Sequence, residues 1–328
     1  MIPQSDQPLV TVAMPTYRRP EMLRQAIESA LAQTYCNTDI LVSDSAADPL
    51  IEKLVASYGD PRLRYRNNGA VSDLITNLRA VYTAARGDLI ATLHDDDLWE
   101  PNFLSCLVPP LVENPDVVVS FGDFWVMDAT GTVRPDLSAR YRNREGLRPG
   151  RHQPFFDLAI TVRALCTPMA AVFRASAVDW TQWRQEAGTA NDLWLAYLLA
   201  RSGGAAWYEP TRVSRYRHHS MASTTVDEND RGAIWCFSRF LEDEQLRSLH
   251  ADIRRAAAFP HTSLALSALW EGGAGARRRA ARHLATALHS AVTPRTLAAL
   301  ALLPWPSPAR RRVIGAISDL RSRHNGRG

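Results

Sequence analysis

Between residues 8 and 122, short apolar runs alternate with segments whose apolar residues recur at helical spacing, and few folds accept that alternation. Apolar runs of this kind read as strands buried on both faces. Such strands belong to parallel sheets whose crossovers are helices. Leu9 to Met14 is the first run. Pro20 and Glu21 then open a helix, with proline preset for the first turn and an acid near the positive helix end. Leu23, Ala26, Ile27, Ala30 and Leu31 form its buried face. Ile40 to Val42 is the second strand, followed by a helix around Ile51 to Ser57 and a short strand around Leu63 to Tyr65. A long helix carries Leu74, Leu78, Val81, Tyr82 and Ala85 on one face, with Gly87 expected to end it. Leu89 to Leu93 and Val117 to Phe121 complete the set of buried strands.

The second half is less regular. Arg134 to His152 holds no period and predicts an exposed loop. Met169 to Phe173 is a strand candidate, Leu193 to Leu199 a helix, and Ala205 to Tyr208 and Arg212 to Tyr216 are extended. Ser220 to Thr225, rich in small hydroxyl residues, has the composition of an ordinary solvated loop, and it also suits a loop that closes over a ligand. Beyond about Asp230 only helical patterns remain, broken by Gly272-Gly273, Pro294 and Pro304. The expected organisation is therefore an α/β domain over 1–229 and a helical, arginine-rich region over 230–328.

No run of about 18 uninterrupted apolar residues is present, so no membrane-spanning helix is expected. Met1 to Pro8 lacks the charged and apolar regions of a secretory signal. Cys36, Cys106, Cys166 and Cys236 are widely spread and predict buried free thiols rather than a disulfide framework or zinc site. The expected compartment is the cytoplasm.

The acids that follow the Leu89–Leu93 strand are the main chemical signal. In an open α/β sheet, ligands bind beyond the carboxyl ends of the strands. His94-Asp95-Asp96-Asp97 starts there. Three adjacent carboxylates repel one another, and either water or a cation must offset that. A hard divalent ion such as Mg²⁺ or Mn²⁺ takes oxygen ligands and bridges them to substrate phosphates. A solvated acidic turn capping a helix that starts near Trp99-Glu100-Pro101 is the alternative.

Other segments fall into order around this one. Val10-Thr-Val-Ala-Met-Pro-Thr-Tyr-Arg18 leads into the first helix, Asp44 ends the second strand, and Asn67-Asn68-Gly69 precedes the helix bearing Asn77. Ala85-Arg-Gly87 leads into Leu93-His-Asp-Asp-Asp-Leu-Trp-Glu-Pro101. Over roughly residues 8 to 220 this series resembles glycosyltransferase family 2, inverting enzymes with the GT-A fold, a Rossmann-like, mostly parallel sheet flanked by helices.

The resemblance implies a nucleotide-binding half over about 8–122 and an acceptor half over about 123–229. It implies a nucleotide-diphosphate sugar as donor, most simply a UDP-sugar, with Mn²⁺ or Mg²⁺. Pro15, Thr16, Tyr17 and Arg18 then lie along base and ribose, Asp44 hydrogen-bonds the base, and Asn68, Gly69 and Asn77 line the nucleotide pocket. Asp95 contacts ribose, Asp96 binds the metal, and Asp97 stands behind as an outer or capping acid. His94 occupies the first position of the family's Asp-x-Asp pattern, as a neutral spacer or as a ligand.

An inverting transfer needs a base to take the acceptor hydroxyl's proton. The family carries it as an acid opening a helix about eleven residues before a glycine. Asp192 with Gly203 matches, although Asn191 stands where many relatives have Glu. Tyr216-Arg217-His218-His219 resembles the family's segment near the diphosphate, with Arg217 facing phosphate and His219 on metal or phosphate. The acceptor is expected to be a glycan, a lipid-linked glycan or a small molecule.

Lys53 is the only lysine, so arginine supplies nearly all positive charge. From Arg277 onward eleven arginines face one acid, Asp319, beside apolar stretches such as Leu297 to Leu303. Basic amphipathic helices favour anionic membrane surfaces, so peripheral membrane contact is one reading, and a helical region whose arginines are merely solvated is the other. Aromatic residues are sparse there and no nucleic-acid module is present, so nucleic acid is not an expected partner. Two other readings share the acids: a metal-dependent nucleotidyltransferase, and a binding protein that keeps the fold without the chemistry. The first normally has a glycine-rich loop after the first strand, and Met14 to Pro20 has no glycine.

Overall fold

The computed structural model describes residues 7–69, 73–140, 147–153, 170–219 and 226–314. The segment Ser220 to Thr225, Cys166 and the start of the Met169–Phe173 strand candidate lie outside them. The chain divides into two compact units, Met1–Gln185 with Asn191–Ala222, and Glu186–Ala190 with Ser223–Gly328.

In the first unit, β1 (Val10–Thr16) and β2 (Thr38–Asp44) are buried at every position, as continuous apolar strands inside a parallel sheet must be. β1 pairs in parallel with β2 on one side and β4 (Leu89–Thr92) on the other, and β3 (Leu63–Asn67) joins β2. The crossovers are α1 (Pro20–Leu31), α2 (Pro49–Ser57) and α3 (Leu74–Thr83). α1 starts on Pro20 and buries Leu23, Ala26, Ile27 and Ala30 against the sheet core, as its spacing predicts. α2 and α3 are each capped by an aspartate, Asp48 and Asp73, whose carboxylates accept the free N–H groups of the first turn.

Gly87 does not end α3, which stops at Thr83. It lies where the chain enters β4, and a Cβ there would meet the Leu9 carbonyl at 2.4 Å and the Thr11 amide at 2.7 Å. The glycine lets two backbones touch. Gly87→Ala is therefore expected to cost about 3 kcal/mol through forced strand separation. The urea unfolding midpoint measures this, and an unchanged midpoint would show that the strands can part freely.

Beyond β4 the sheet turns mixed. Its order is β3-β2-β1-β4, then β8 (Ala171–Arg174), β6 (Val117–Met127), β9 (Ala205–Arg217) and β5 (Leu98–Trp99), with β7 (Gly150–His152) paired to β9. β8 runs antiparallel between β4 and β6, and β9 runs parallel to β6. The two extended stretches expected over 205–216 are thus one strand. α4 (Phe103–Glu113) starts later than Trp99-Glu100-Pro101 suggests, because Leu98–Trp99 forms the short strand β5 against β9. Nor is Arg134 to His152 loop throughout: α5 (Pro135–Arg140) and β7 (Gly150–His152) stand at its two ends. α6 (Asn191–Arg201) leads by a short turn into β9.

The second unit is helical: α7 (Val226–Glu242), α8 (His250–Glu271), α9 (Ala276–Ser290) and α10 (Pro294–Leu302). Its core is built from small and medium side chains, Ala265, Ala268, Leu269, Ala280, Leu284, Ala299 and Leu302. Cys236 is buried as a free thiol, whereas Cys36 is exposed.

Candidate active site

The sheet register assembles the site. Thr16 of β1 stands level with Asp44 of β2, which stands level with Asn67 of β3. Ala13 is level with Thr92 of β4, so three residues further along both chains Thr16 meets Asp95. All four strands thus release their loops at one carboxyl edge of the sheet. On the other side, β5 pairs Leu98 with Arg215, which sets the end of β9 alongside the acids.

Asp95 is buried and held from three directions. Its Oδ2 accepts the Thr16 hydroxyl at 2.9 Å and the Tyr17 amide at 3.3 Å, and its Oδ1 accepts Arg19 at 3.2 Å. Burial first, and then the charge of Asp96, raise its carboxyl to about 6 against those bonds. Asp96 accepts Arg19 at 2.7 Å and lies 3.0 Å from His219 Nε2. Burial pushes the Asp96 carboxyl upward, but His94, the His219 hydrogen bond and Arg19 together outweigh it and hold it below the usual carboxylate range.

Asp97 is only 1% exposed, and burial followed by the Asp96 charge raises its carboxyl well above the ordinary value. One of its oxygens accepts the Arg217 amide at 2.9 Å. The other is buried with no hydrogen-bond partner among the described residues, 3.8 Å from His94 Nδ1. An orphaned buried carboxylate oxygen asks for a proton or a cation. Ligand atoms of His94, Asp96 and Asp97 all lie within 4.8 Å of one another, so the residues present fit a divalent ion. The expected metal acid Asp96 is in this group. Asp97 and His94 join it, and Asp95 faces the β1 loop instead. Desolvation lowers the His94 imidazole, which keeps it neutral and able to act as a ligand.

The residues expected to line a nucleotide pocket form a second cluster. Asn77 is buried, not a helix-surface asparagine. It accepts the Ser43 hydroxyl and the Asn68 amide, both at 2.7 Å, and donates to the Ser43 carbonyl at 2.9 Å. Gly69 has φ +70 and open space beside its Cα, a conformation a side chain would strain. Pro15 and Thr16 belong to β1 itself, and only Tyr17 and Arg18 form the loop after it. Arg18 adopts φ +55 and lays its guanidinium over the half-exposed Tyr17 ring, 5.1 Å from the centroid.

Two residues take different roles from those expected. The Asp44 side chain is fully buried and accepts the Ala46 and Asp48 amides and the Tyr65 hydroxyl, so it shapes the 45–48 turn. Arg217 is 3% exposed and turned inward. Its guanidinium donates to the Asp96 carbonyl at 2.7 Å, the Ala129 carbonyl at 3.2 Å and Gln25 Oε1 at 2.8 Å. It clamps the backbone of the acidic run. Arg217→Lys is expected to lose about 2–3 kcal/mol of stability, since a single ammonium cannot reach all three acceptors. Thermal unfolding of the purified variant tests this, and wild-type stability would mean that the guanidinium is free for a ligand.

Arg19, one residue past the expected loop, is the side chain that binds both Asp95 and Asp96, and the sequence pattern did not single it out. Asp192 sits in the first turn of α6, after Asn191, with Oδ1 accepting the Leu193 amide at 2.8 Å. Burial raises its carboxyl to about 6, and no charged side chain among the described residues contributes. The segment before it is fixed onto α3, the helix of Asn77. Trp183 Nε1 donates to the Ile75 carbonyl at 3.2 Å and Gln185 to the Thr76 hydroxyl at 3.0 Å, while Trp180 stacks on Tyr82.

A mixed sheet with acids at the carboxyl edge of its parallel half and a helical C-terminal region defines a GT-A type α/β protein. The pattern of Glycosyl transferase family 2 matches residues 11–179, and the chain belongs to that family. It is 34% identical over 241 residues to an uncharacterized glycosyltransferase of Rickettsia typhi, covering 70% of each chain. A UDP-Glc:alpha-D-GlcNAc-diphosphoundecaprenol beta-1,3-glucosyltransferase of Escherichia coli is 26% identical over 128 residues, 39% of this chain and 50% of that one. Alignments to other bacterial relatives reach only 37% and 38% of their lengths. The structure of S. aureus TarS 1-349 in complex with UDP-GlcNAc superposes with a TM-score of 0.62 at 11% identity, over 93% of this chain and 88% of that one.

Proposed function

We propose that the chain is an inverting glycosyltransferase that moves a sugar from a nucleotide diphosphate, UDP in the first instance, to an acceptor hydroxyl. The observation that carries this reading is the cation-ready cluster at the sheet edge. The buried, unpartnered Asp97 oxygen lies beside His94 and Asp96, directly next to the Thr16–Asp95–Arg19 contacts. The family supports it, as do the UDP-sugars named for the TarS complex and the Escherichia coli relative.

In this reading residues 8–122 bind the nucleotide, 123–229 receive the acceptor, and 230–328 form a helical region. Thr16, Tyr17, Asn68, Gly69 and Asn77 line the nucleoside pocket, with Asp44 supporting it from below through its turn. Asp95, fixed by Thr16 and the Tyr17 amide, presents its remaining acceptor capacity to ribose. Asp96, with Asp97 and His94 beside it and His219 against its carboxylate, would hold the metal. A bound Mn²⁺ or Mg²⁺ offsets the charge that develops on the leaving diphosphate. An imidazole in the donor set favours Mn²⁺ over the strictly oxygen-seeking Mg²⁺. Asp192 takes the proton from the acceptor hydroxyl as its oxygen bonds to the anomeric carbon from the face opposite the diphosphate. The bond to the diphosphate oxygen breaks, and the anomeric configuration inverts. The lipid-linked sugar named for the Escherichia coli relative supports a lipid-linked glycan as acceptor.

Thermal shift with UDP, GDP and TDP, each with and without Mn²⁺, tests the donor site. UDP with Mn²⁺ at a hundred times its dissociation constant is expected to add about 2.7 kcal/mol of stability. Failure of all three nucleotides to raise the melting temperature would refute the assignment. Nucleotide binding without hydrolysis or transfer of any UDP-sugar would instead identify a binding protein.

A further inference from the structure

The helical unit carries a surface that the transfer chemistry does not use. α10 buries Thr296, Ala299 and Leu302 on one face. Its opposite face exposes Leu297 by 50% and Leu300 by 37%, with Ala298 and Ala301 beside them. No charged residue occurs from Thr296 to Ala309. Past Arg295 in its first turn, α10 carries only apolar side chains and Thr296, and an exposed apolar face of this kind meets an apolar partner. Two half-exposed indoles, Trp270 at the end of α8 and Trp305 just past α10, stand at the same end of the unit. The arginines show that they are neighbours. Arg310, itself buried, donates to the carbonyls of Leu269 at 3.2 Å and Trp305 at 3.3 Å. Arg311 donates to the Trp270 carbonyl at 2.7 Å, and Arg277 of α9 to the Trp305 carbonyl at 2.9 Å.

The charge of this end is one-sided. Between Trp270 and Arg312 the chain has eight arginines and a single acid, Glu271, which lies 3.8 Å from Arg279. Arg278, Arg282 and Arg312 are exposed. The surface thus combines an apolar helix face, two indoles and a guanidinium fringe.

We propose that this end of the helical unit seats on an anionic lipid surface. Leu297, Leu300 and the two indoles enter the headgroup boundary, where tryptophan is at home, and the fringe arginines pair with lipid phosphates. A second copy of the chain would cover the leucines but would press two identical arginine fringes together, which charge opposes. A bilayer satisfies both parts of the surface at once. The inference stands on the helical unit alone and holds whichever donor the other unit uses.

Flotation of the full chain with phosphatidylcholine vesicles, and with phosphatidylcholine–phosphatidylglycerol vesicles, tests it. The protein is expected to float with the anionic vesicles at low salt, to shift its tryptophan emission to the blue, and to be released as salt screens the arginines. Arg278→Ala with Arg312→Ala lowers the partition coefficient about thirtyfold. Leu297→Asp with Leu300→Asp removes binding altogether. These positions are exposed, and unchanged melting curves in buffer show that the variants fold. Absence of flotation at low salt, equal flotation with both vesicle types, or wild-type flotation by the arginine variant each overturns the proposal. Concentration-dependent dimerisation that the leucine variant abolishes, without vesicle binding, assigns the surface to a second copy and overturns it as well.

Discussion

Asp192→Asn is expected to abolish sugar transfer while making the folded protein more stable. Both effects come from the same burial. The Asp192 carboxyl is raised from 3.8 to about 6 by desolvation, so the folded protein resists its ionisation. Below pH 3.8 the group is protonated in both folded and unfolded chains and has no effect on stability. As pH rises from 3.8 to about 6 the unfolded chain ionises while the folded chain keeps its proton, so stability falls progressively, and above 6 the folded state carries a poorly hydrated carboxylate at the full cost. An amide never ionises, so at pH 8 the variant gains about 1–3 kcal/mol. The catalytic loss is the opposite in sign. A missing general base removes about 10²–10⁴ in rate. In the unaltered enzyme, kcat/KM should fall as pH drops through about 6, because only the ionised form accepts the hydroxyl proton. Nucleotide binding should be unchanged. Full transfer activity in the variant removes Asp192 from the chemistry. Loss of stability at pH 8 means its carboxylate has a favourable partner once ionised.

Asp96→Ala should separate cleanly from this. It removes the carboxylate that His94 and Asp97 flank, and leaves Arg19 and His219 facing a gap. Mn²⁺-dependent UDP binding is expected to weaken at least about a hundredfold, since loss of even an outer partner of a metal ligand costs ten- to a hundredfold. Titration calorimetry with Mn²⁺ and UDP measures it directly, without turnover. If Asp96→Ala binds Mn²⁺ and UDP normally while Asp97→Ala does not, the metal acid has been placed one residue too early. Equal loss of binding in Asp96→Ala and Asp192→Asn would erase the division between donor and acceptor chemistry.

The parallel half of the sheet was legible because its strands are buried on both faces and its helices on one. Period and burial agree at Leu23, Ala26, Ile27 and Ala30, and in the run from Val10 to Met14. The acids were legible for the same reason, because a strand that ends on His94-Asp95-Asp96-Asp97 can place them only at its carboxyl edge. Arg19 and the inward turn of Arg217 were not. Which of two adjacent arginines meets an acid depends on Arg18 taking φ +55, and no local preference announces that at an arginine. Arg217 resembled a phosphate ligand by its neighbours in sequence. Its true partners, Gln25, Asp96 and Ala129, are distant along the chain and meet only through the β5–β9 pairing. Gly87 misled for a related reason: a glycine near a helix end reads as a stop, whereas here it is required by the strand it faces.

The reach of Arg217 has a mechanical consequence. One rigid, planar group joins a side chain of the first helix, the main chain of Asp96 and the Asp128–Gly131 turn that follows β6. These three pieces cannot drift independently. A displacement of that turn is therefore passed to the Asp96 carbonyl through a single strut.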